Sequence, residues 1–281
     1  MTSGSLYVVA TPIGNLEDIT PRAVSLLSAV DLIAAEDTRH SKPLLDKFSI
    51  STPLRSYHDF SSDAATESIV SDLQSGKSVA LISDAGTPLI SDPGFRLVRC
   101  VREAGIEVIP VPGVSALIAA LSVAGLPTDR FCFEGFLPAK TGARCNALQM
   151  LVDEQRTLVF YESPHRIRDT LDDMAGVFGS ERRIFIAREM TKKFETHFYG
   201  SLKESLTWYD ADSNNGKGEF VVVVHGCSDE QLQEQRLRNA LPLVDELRQQ
   251  MSMKAAVALA SKITGVRKNA LYQTVLENEG E

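Results

Sequence analysis

The first 125 residues alternate short strand-like runs with longer amphipathic segments. The strand-like runs cover residues 6–10, 32–35, 53–57, 79–82 and 107–110. The amphipathic segments cover residues 21–30, 42–48, 64–74 and 95–104. Apolar runs of only four or five residues are typical of strands that are buried on both faces. Their alternation with helical segments predicts a parallel, doubly wound sheet.

Capping residues indicate where two of the helices begin. Thr20 precedes Pro21, and this pair favours an N-cap followed by the first helical residue. Ser115 follows a Pro-Gly turn and is a candidate N-cap for an apolar helix at 117–124. The free N–H groups at the start of that helix would suit a ligand carboxylate, although a simple capped helix explains the same residues.

The pattern restarts after Gly125, which favours a boundary between two lobes. Further strands are expected at 131–133, 157–161, 183–187 and 219–225, with a loop from residue 134 and a helix that reaches residue 153. From residue 228 the chain has charged helical segments only. Helices expected at 253–262 and 267–276 flank a tight turn, which is a helix-turn-helix outline. The pattern therefore predicts three units, at 1–124, 125–226 and 227–281.

The composition adds a constraint on partners. The chain has 281 residues, 43% hydrophobic and 23% charged, as expected for a globular protein of about two domains. Its formal net charge of −8 argues against indiscriminate coating of nucleic acid. Residues 252–272 are an exception, because they include four basic residues and no acidic one. A solvated helical surface is the simpler explanation of this segment.

Cysteine spacing and hydropathy bear on the cellular compartment. Cys100, Cys132, Cys145 and Cys227 lie far apart, which disfavours a zinc site and a disulfide framework, so no metal site is expected. The start of the chain lacks the basic region of a signal peptide. No apolar run approaches the roughly 18 residues that a membrane span requires. We therefore expect a cytoplasmic protein without membrane contact.

Polar or Gly-Pro loops follow most of the expected strands. They read TPIGN (11–15), EDTRH (36–40), SDAGTP (83–88), PGVSA (112–116), ESPHR (162–166) and REMTKKFE (188–195). A single charged loop is most often a solvated turn, and that explanation stays open for EDTRH. Several such loops at the carboxyl ends of strands indicate one ligand cleft between two lobes.

The order of these motifs, together with FEGFLP and GEFVVVV, resembles the tetrapyrrole methylase superfamily and, within it, the ribosomal RNA branch. The resemblance extends from Ser5 to about Val224, and the basic tail matches the same branch. It implies an α/β fold of two lobes plus a small C-terminal helical module, a homodimer, and S-adenosylmethionine bound in a folded shape in the cleft. Relatives that methylate tetrapyrroles read close to G-x-G-P-G-D in the first loop and G-D-P in the central loop. The acidic residues of those loops are missing here, which counts against a tetrapyrrole substrate.

The resemblance also implies which residues contact the methyl donor. They are Pro12, Asp84, Ala85, Thr87, Ile90, Ser115 and Ala116, with Tyr161, Ala187 and Gly218 from the second lobe. The implied reaction is 2′-O-methylation of a cytidine ribose in small-subunit ribosomal RNA, either as naked RNA or as an assembled subunit. Methylation of a small molecule such as a tetrapyrrole, and a non-catalytic ribosome assembly factor, are the alternatives.

The reaction needs alignment of two reactants and removal of a hydroxyl proton. The candidates for the base are Glu36, Asp37, His165, Lys192 and Glu195. A neutral Lys192 would require a desolvated, cation-rich pocket, to which Lys193 and Arg188 would contribute. The simpler explanations are a Glu36–Arg39 ion pair, a surface position for His165, and phosphate contacts for Lys192 and Lys193.

RNA contact requires basic side chains around the cleft. The candidates are Lys140, Arg144, Arg166, Arg168, Lys192 and Lys193 on its rim and Lys254, Lys262, Arg267 and Lys268 in the tail. Such side chains contact phosphates and position a strand without selecting its sequence. The target nucleotide is expected to be splayed from its neighbours so that its 2′-oxygen reaches the donor.

Overall fold

The computed structural model describes residues 4–58 and 60–279, so the outermost residues of the predicted units 1–124 and 227–281 lie outside the described residues. Within this part of the chain, ten strands form two five-stranded sheets. The first contains β1 (Ser5–Val9), β2 (Leu32–Ala35), β3 (Leu54–Ser56), β4 (Val79–Ile82) and β5 (Glu107–Val111). Its order is β3-β2-β4-β1-β5, and all neighbouring strands are parallel.

Helices cover both faces of this first sheet. They are α1 (Pro21–Ala29), α2 (Thr38–Lys47), α3 (Asp63–Gln74) and α4 (Phe95–Glu103). Leu27 of α1 and Leu45 of α2 pack on the face that includes Ile82. Leu73 of α3 and Val101 of α4 pack on the opposite face. The parallel, doubly wound sheet is confirmed, and burial on two faces explains why β2 and β4 read as continuous apolar runs.

The start of α1 agrees with the sequence prediction, whereas the start of α2 does not. Thr20 Oγ1 accepts a hydrogen bond from Ala23 N (3.2 Å) ahead of Pro21, as predicted. Helix α2 begins at Thr38, four residues before the predicted start at 42. The reason is that the Asp37 carboxylate accepts Arg39 N (2.8 Å) and so caps the helix. The second part of the EDTRH motif, from Thr38 to His40, is therefore the first turn of α2, and Asp37 is its N-cap.

The second sheet is mixed. It contains β6 (Phe131–Phe136), β7 (Thr157–Glu162), β8 (Arg183–Arg188), β9 (Thr196–Ser201) and β10 (Phe220–Val224), in the order β6-β7-β10-β8-β9. Strands β6 and β7 are parallel, whereas β10 runs antiparallel to β7 and β8, and β9 antiparallel to β8. The sequence analysis missed β9 and predicted a loop from residue 134. Strand β6 instead continues through a register shift at Gly135, whose φ is +65°.

One helix from the first half of the chain covers the second sheet. Helix α5 (Ala116–Val123) packs Leu117 and Leu121 against a sheet face that includes Phe185 and Val223. The other face is covered by α6 (Thr141–Met150), α7 (Ile167–Phe178) and α8 (Leu202–Ala211). The chain thus reaches the second sheet before Gly125, and the division at residue 124 stays a prediction.

The C-terminal helices form a core of their own. They are α9 (Asp229–Arg248), α10 (Met253–Thr264) and α11 (Lys268–Glu279). Val244, Val257 and Leu271 are buried among them. Gly265 ends α10 at a φ of +71°, a conformation that suits glycine. None of the described helices is long and apolar enough to cross a membrane.

An ion pair beside β7 gives this fold a pH dependence. The Glu154 carboxylate accepts Arg156 Nη2 (2.7 Å), Nε (2.9 Å) and N (2.9 Å). The Arg156 guanidinium lowers the pKa of Glu154 from 4.5 to about 2. A depressed carboxyl pKa adds stability above the unfolded value, and this contribution disappears as pH falls towards the folded value.

We expect Glu154→Gln to reduce the loss of stability between about pH 5 and pH 2. The glutamine cannot be protonated in this range, so its contribution no longer depends on pH. Urea unfolding at a series of pH values measures the effect. Glu107→Gln, at an exposed position, serves as the control and should keep the wild-type pH dependence. If the stability of Glu154→Gln fell with decreasing pH as steeply as that of the wild-type protein, the Glu154–Arg156 pair would not be the source of the pH dependence.

Candidate active site

Three loops at the carboxyl edge of the first sheet are held together by hydrogen bonds. Thr11 N donates to Gly86 O (2.8 Å), and Gly86 N donates to Thr11 O (3.0 Å). Thr11 Oγ1 donates to Ser83 O (3.2 Å), and Thr87 Oγ1 donates to Val114 O (3.2 Å). The TPIGN, SDAGTP and PGVSA loops therefore form one floor, in which Thr11 already occupies the backbone groups of Gly86.

The second lobe contacts this floor directly. Asn15 N donates to Thr191 Oγ1 (3.1 Å) in the loop after β8. A Cβ added at Gly14 would collide with the side chain of Lys192, so the glycine permits this close approach. Leu89, Ser91, Glu189 and Thr191 all adopt positive φ values. Such backbone conformations are costly and often occur at ligand sites.

A first cavity of about 390 Å³ lies between the lobes. Six of the predicted donor contacts line it: Ala85, Thr87, Ile90, Ser115, Ala116 and Tyr161. The sequence analysis did not name the other lining residues as donor contacts; they are Ile13, Gly86, Ser91, Asp92, Phe136, Glu162, Ser163, Pro164, Met190, Glu219, Phe220 and Val221. Several of them belong to the TPIGN, SDAGTP, ESPHR and REMTKKFE loops, which the sequence had placed at a cleft, whereas Phe220 and Val221 read as core residues of an apolar strand.

Tyr161 joins the second sheet to the start of α5. Its Oη accepts a hydrogen bond from Leu117 N (3.1 Å), and its ring meets Phe133 edge-on with centroids 4.8 Å apart. Burial raises the pKa of Tyr161. Ser115 is the N-cap residue, as predicted, but no capping hydrogen bond from its side chain is present. One of the N–H groups expected to face a ligand carboxylate is thus already bound to Tyr161.

A second cavity, of about 450 Å³, adjoins the first. Pro12 and Asp84, both predicted donor contacts, line this one. Arg39 and His40 of α2 and Lys192 of the second lobe also line it. Ile13, Ala85 and Glu219 line both cavities.

The remaining two predicted donor contacts lie outside both cavities. Ala187 is fully buried in the core against α5. Gly218 has a φ of +90°, and a Cβ there would collide with Glu189. Gly218 therefore shapes the turn that leads to Glu219.

Two base candidates from the EDTRH loop are engaged in local hydrogen bonds. Asp37 pairs with Arg39 (2.7 Å), which holds the pKa of Asp37 well below its usual range. The anticipated Glu36–Arg39 pair is therefore an Asp37–Arg39 pair. Glu36 Oε2 accepts Asp84 N (3.4 Å), and Asp84 Oδ1 accepts Asp37 N (3.1 Å). Neither Glu36 nor Asp37 lines the first or the second cavity.

Two further candidates from the second lobe also lie away from the cavities. His165 is exposed. Glu195 accepts Thr191 N (2.7 Å) and contacts His197 Nε2 (2.9 Å). Glu195 thus stabilises the loop that carries Lys192.

Lys192 is the one base candidate on a cavity wall, but its surroundings differ from the prediction. Its Nζ donates to Glu189 Oε1 (2.9 Å) and Glu219 Oε2 (2.8 Å). Burial lowers the pKa of Lys192, but the two carboxylates outweigh burial and raise it. The anticipated cation-rich pocket is wrong, because Arg188 is bound to Lys217 O (2.6 Å) and Phe194 O (2.9 Å). A neutral lysine is therefore contradicted.

The predicted basic rim is only partly present. Arg144 has a side chain that is 2% exposed and pairs with Asp173 (2.6 Å), so it cannot lie on a rim. Arg166 and Arg168 are bound by the carboxylates of Glu162 (2.7 Å) and Asp210 (3.2 Å). The remaining predicted basic residues are exposed: Lys140, Lys193, Lys254, Lys262, Arg267 and Lys268.

The fold and its cleft define a class, the two-lobed tetrapyrrole-methylase-like α/β proteins. The diphthine synthase structure has a TM-score of 0.62 at 14% identity, over 82% of this chain and 95% of that chain. The structure of uroporphyrin-III C-methyl transferase from Thermus thermophilus, complexed with S-adenyl homocysteine, has a TM-score of 0.54 at 18% identity, over 78% and 97%. These likenesses show the fold.

The family model for Tetrapyrrole (Corrin/Porphyrin) Methylases matches residues 5–205, and the chain belongs to this family. The model for the RsmI C-terminal HTH domain matches residues 238–279. Ribosomal RNA small subunit methyltransferase I from Pseudomonas aeruginosa is 54% identical over 281 residues, all of both chains. The protein of that name from Escherichia coli O157:H7 is 51% identical over 99% of this chain and 97% of its own length. The family read from the motifs is confirmed.

Proposed function

We propose that this chain transfers a methyl group from S-adenosylmethionine to the 2′-oxygen of a cytidine ribose in small-subunit ribosomal RNA. The observation that carries the proposal is 54% identity, over the full length of both chains, to a ribosomal RNA small subunit methyltransferase I. The cytidine and the 2′-oxygen rest on the motif resemblance. The missing acidic residues in the first and central loops weigh against a tetrapyrrole substrate.

The first cavity suits the methyl donor. Its volume of about 390 Å³ lies in the range of roughly 300–1,000 Å³ for small-molecule sites. Small residues at Ala85, Gly86, Ser115 and Ala116 leave space for a ligand. Thr87, Ser115, Ala116 and Tyr161 are the residues that would hold the donor. When bound, S-adenosylmethionine supplies a methyl group on a positively charged sulfur.

The second cavity suits the acceptor nucleotide. Arg39, His40 and Lys192 place cationic or hydrogen-bonding groups on its wall. Such groups contact phosphates and orient a strand. Because the two cavities adjoin, a nucleotide splayed into the second would bring its ribose to the mouth of the first. Holding two reactants in this way supplies several kcal/mol of barrier reduction.

The proposal includes a homodimer in the cytoplasm, where ribosomal RNA is modified. Ile118 and Val123 on α5 and Tyr199 on β9 are exposed large apolar side chains of the second lobe. Burying such side chains against a second copy would be favourable. Sedimentation analysis at micromolar concentration should give twice the mass of the chain, and a monomer mass would reject the dimer.

Transfer of labelled methyl groups to small subunits from a strain lacking this protein tests the reaction. We expect label on one cytidine ribose. Ala116→Leu should abolish labelling and weaken donor binding at least tenfold, because the added side chain fills the first cavity. Ser122→Leu, at an exposed position on the same helix, is the matched control. Absence of label on subunits and on naked RNA, with the donor bound, would reject the proposed function.

A further inference from the structure

Glu219 lies at the junction of the two cavities. It lines both of them, together with Ile13 and Ala85. Of these three residues, Glu219 alone carries a group that can accept a proton. Its side chain is 76% exposed, so the carboxylate is accessible from solvent.

The second lobe holds Glu219 in a defined position. Glu219 N donates to Glu189 Oε1 (3.0 Å), and Glu189 N donates to Glu219 O (2.9 Å). Lys192 Nζ donates to Glu219 Oε2 (2.8 Å) and also to Glu189 Oε1 (2.9 Å). The described part of the chain provides no hydrogen-bond donor to Glu219 Oε1. One oxygen is therefore anchored, while the other is available to a ligand.

Other carboxylates at the cleft are less well placed. Asp37 is bound by Arg39, and Glu36 accepts a backbone N–H. Asp84 lines the second cavity alone, and its Oδ1 accepts Asp37 N (3.1 Å). Asp92 lines the first cavity alone. Only a group that reaches both cavities can contact an acceptor oxygen while that oxygen faces the donor.

We propose that Glu219 accepts the proton of the 2′-hydroxyl during methyl transfer, an inference that rests on the proposed function. The ribose oxygen forms a bond to the methyl carbon, and the carbon–sulfur bond breaks with its electron pair remaining on sulfur. The hydroxyl proton moves to Glu219 Oε1, which converts the carboxylate to the neutral acid. Lys192 is a positioning residue in this scheme, because it fixes Oε2 and directs Oε1 away from itself.

Charged or titratable groups from four other segments contact Glu219 or share a cavity with it, and Asp92 and Glu162 share the first cavity. Lys192 and Glu189 belong to the loop after β8 and contact it directly. Asp84 of the loop after β4, and Arg39 and His40 of α2, share the second cavity with it. Protonation of Glu219 removes the proton acceptor, so the transfer rate should fall on the acidic side.

The test compares Glu219→Gln with the wild-type protein at saturating donor and RNA. Glutamine keeps the shape of the side chain but cannot accept the proton, so we expect the transfer rate to fall by about 10²–10⁴-fold. The dissociation constant for S-adenosylmethionine, measured by calorimetry, should change less than about threefold. The acidic limb of the pH–rate profile should disappear from the residual activity. Glu67→Gln, at an exposed position on α3, is the matched control and should behave as wild type.

Three results would overturn the proposal. The first is Glu219→Gln with a rate close to wild type. The second is loss of the acidic limb in Asp84→Asn but not in Glu219→Gln, which would assign the proton to Asp84. The third is a loss of donor affinity as large as the loss of rate, which would mean that Glu219 acts in donor binding. A wild-type protein that binds the donor and labels no RNA rejects the proposed function instead, and this proposal with it.

Discussion

Glu162→Ala is expected to lower the free energy of unfolding by about 3–5 kcal/mol, the usual cost of removing one partner from a buried ion pair. The Glu162 side chain is only 1% exposed. Its Oε1 contacts Arg166 Nη2 (2.7 Å) and accepts Ser163 N (2.7 Å), and its Oε2 accepts Thr170 Oγ1 (2.7 Å). Alanine would leave the half-buried guanidinium of Arg166 and the buried hydroxyl of Thr170 without these acceptors.

Urea unfolding measures the change, and a shift in the midpoint at constant slope identifies a true loss of stability. Donor affinity should fall as well, because Glu162, Ser163 and Pro164 line the first cavity. Glu181→Ala is a suitable control, since Glu181 is exposed and should change the stability by less than about 0.5 kcal/mol. A loss below about 1 kcal/mol in Glu162→Ala would show that water replaces the carboxylate.

The contacts of Glu162 change the interpretation of the ESPHR loop. Its charged residues suggested a base at His165 and an RNA contact at Arg166. The structure instead makes Glu162 and Arg166 a buried pair at the start of α7, with His165 on the surface. Sequence pattern cannot separate a charge that is paired in the core from one that faces a ligand, because both occur in polar loops after strands. The same limit explains Arg144, which is bound to Asp173 inside the second lobe.

The first sheet could be predicted because its signals are local. Four buried residues in β2 and four in β4 give continuous apolar runs, and a capping pair marks α1. Strand β9 could not, because it lies at the edge of the second sheet and reads THFYGS, which has neither a continuous apolar run nor a regular alternation of apolar and polar residues. The packing of α5 on the second sheet depends on contacts between distant parts of the chain, which no local pattern carries.

The position of Glu219 was missed for a topological reason. The sequence analysis searched the carboxyl ends of strands, which is where parallel sheets place ligand loops. Strand β10 runs antiparallel to β7 and β8, so Phe220 at its start lies opposite Glu162 and Arg188 at their ends. The residue that precedes β10 therefore reaches the same edge of the sheet. In a mixed sheet, residues at the beginning of an antiparallel strand are therefore also candidates for ligand contacts.

The exposed cations of the C-terminal helices should dominate RNA affinity. We expect the combined variant Lys254→Gln, Lys262→Gln, Arg267→Gln and Lys268→Gln to bind ribosomal RNA about 100-fold more weakly near 0.15 M salt. Each phosphate contact to single-stranded RNA contributes about 0.7 to the slope of log affinity against log salt concentration, so four lost contacts should reduce the slope by about 3. All four side chains are exposed; Lys262, Arg267 and Lys268 lie beside the turn between α10 and α11, and Lys254 lies near the start of α10.

Charge replacement separates RNA binding from folding better than truncation does. Cys227 N donates to Glu154 O (2.6 Å), so deleting the segment from this residue would also disturb the second lobe. The combined variant with four glutamines should keep its thermal stability and its affinity for S-adenosylmethionine, because its substitutions lie outside both cavities. The matched control replaces four exposed cations elsewhere: Arg22, Lys47, Arg102 and Lys203. An unchanged salt slope in this variant would mean that the four side chains do not contact phosphates, and an equal reduction in the control would mean that net charge rather than the helical module attracts the RNA.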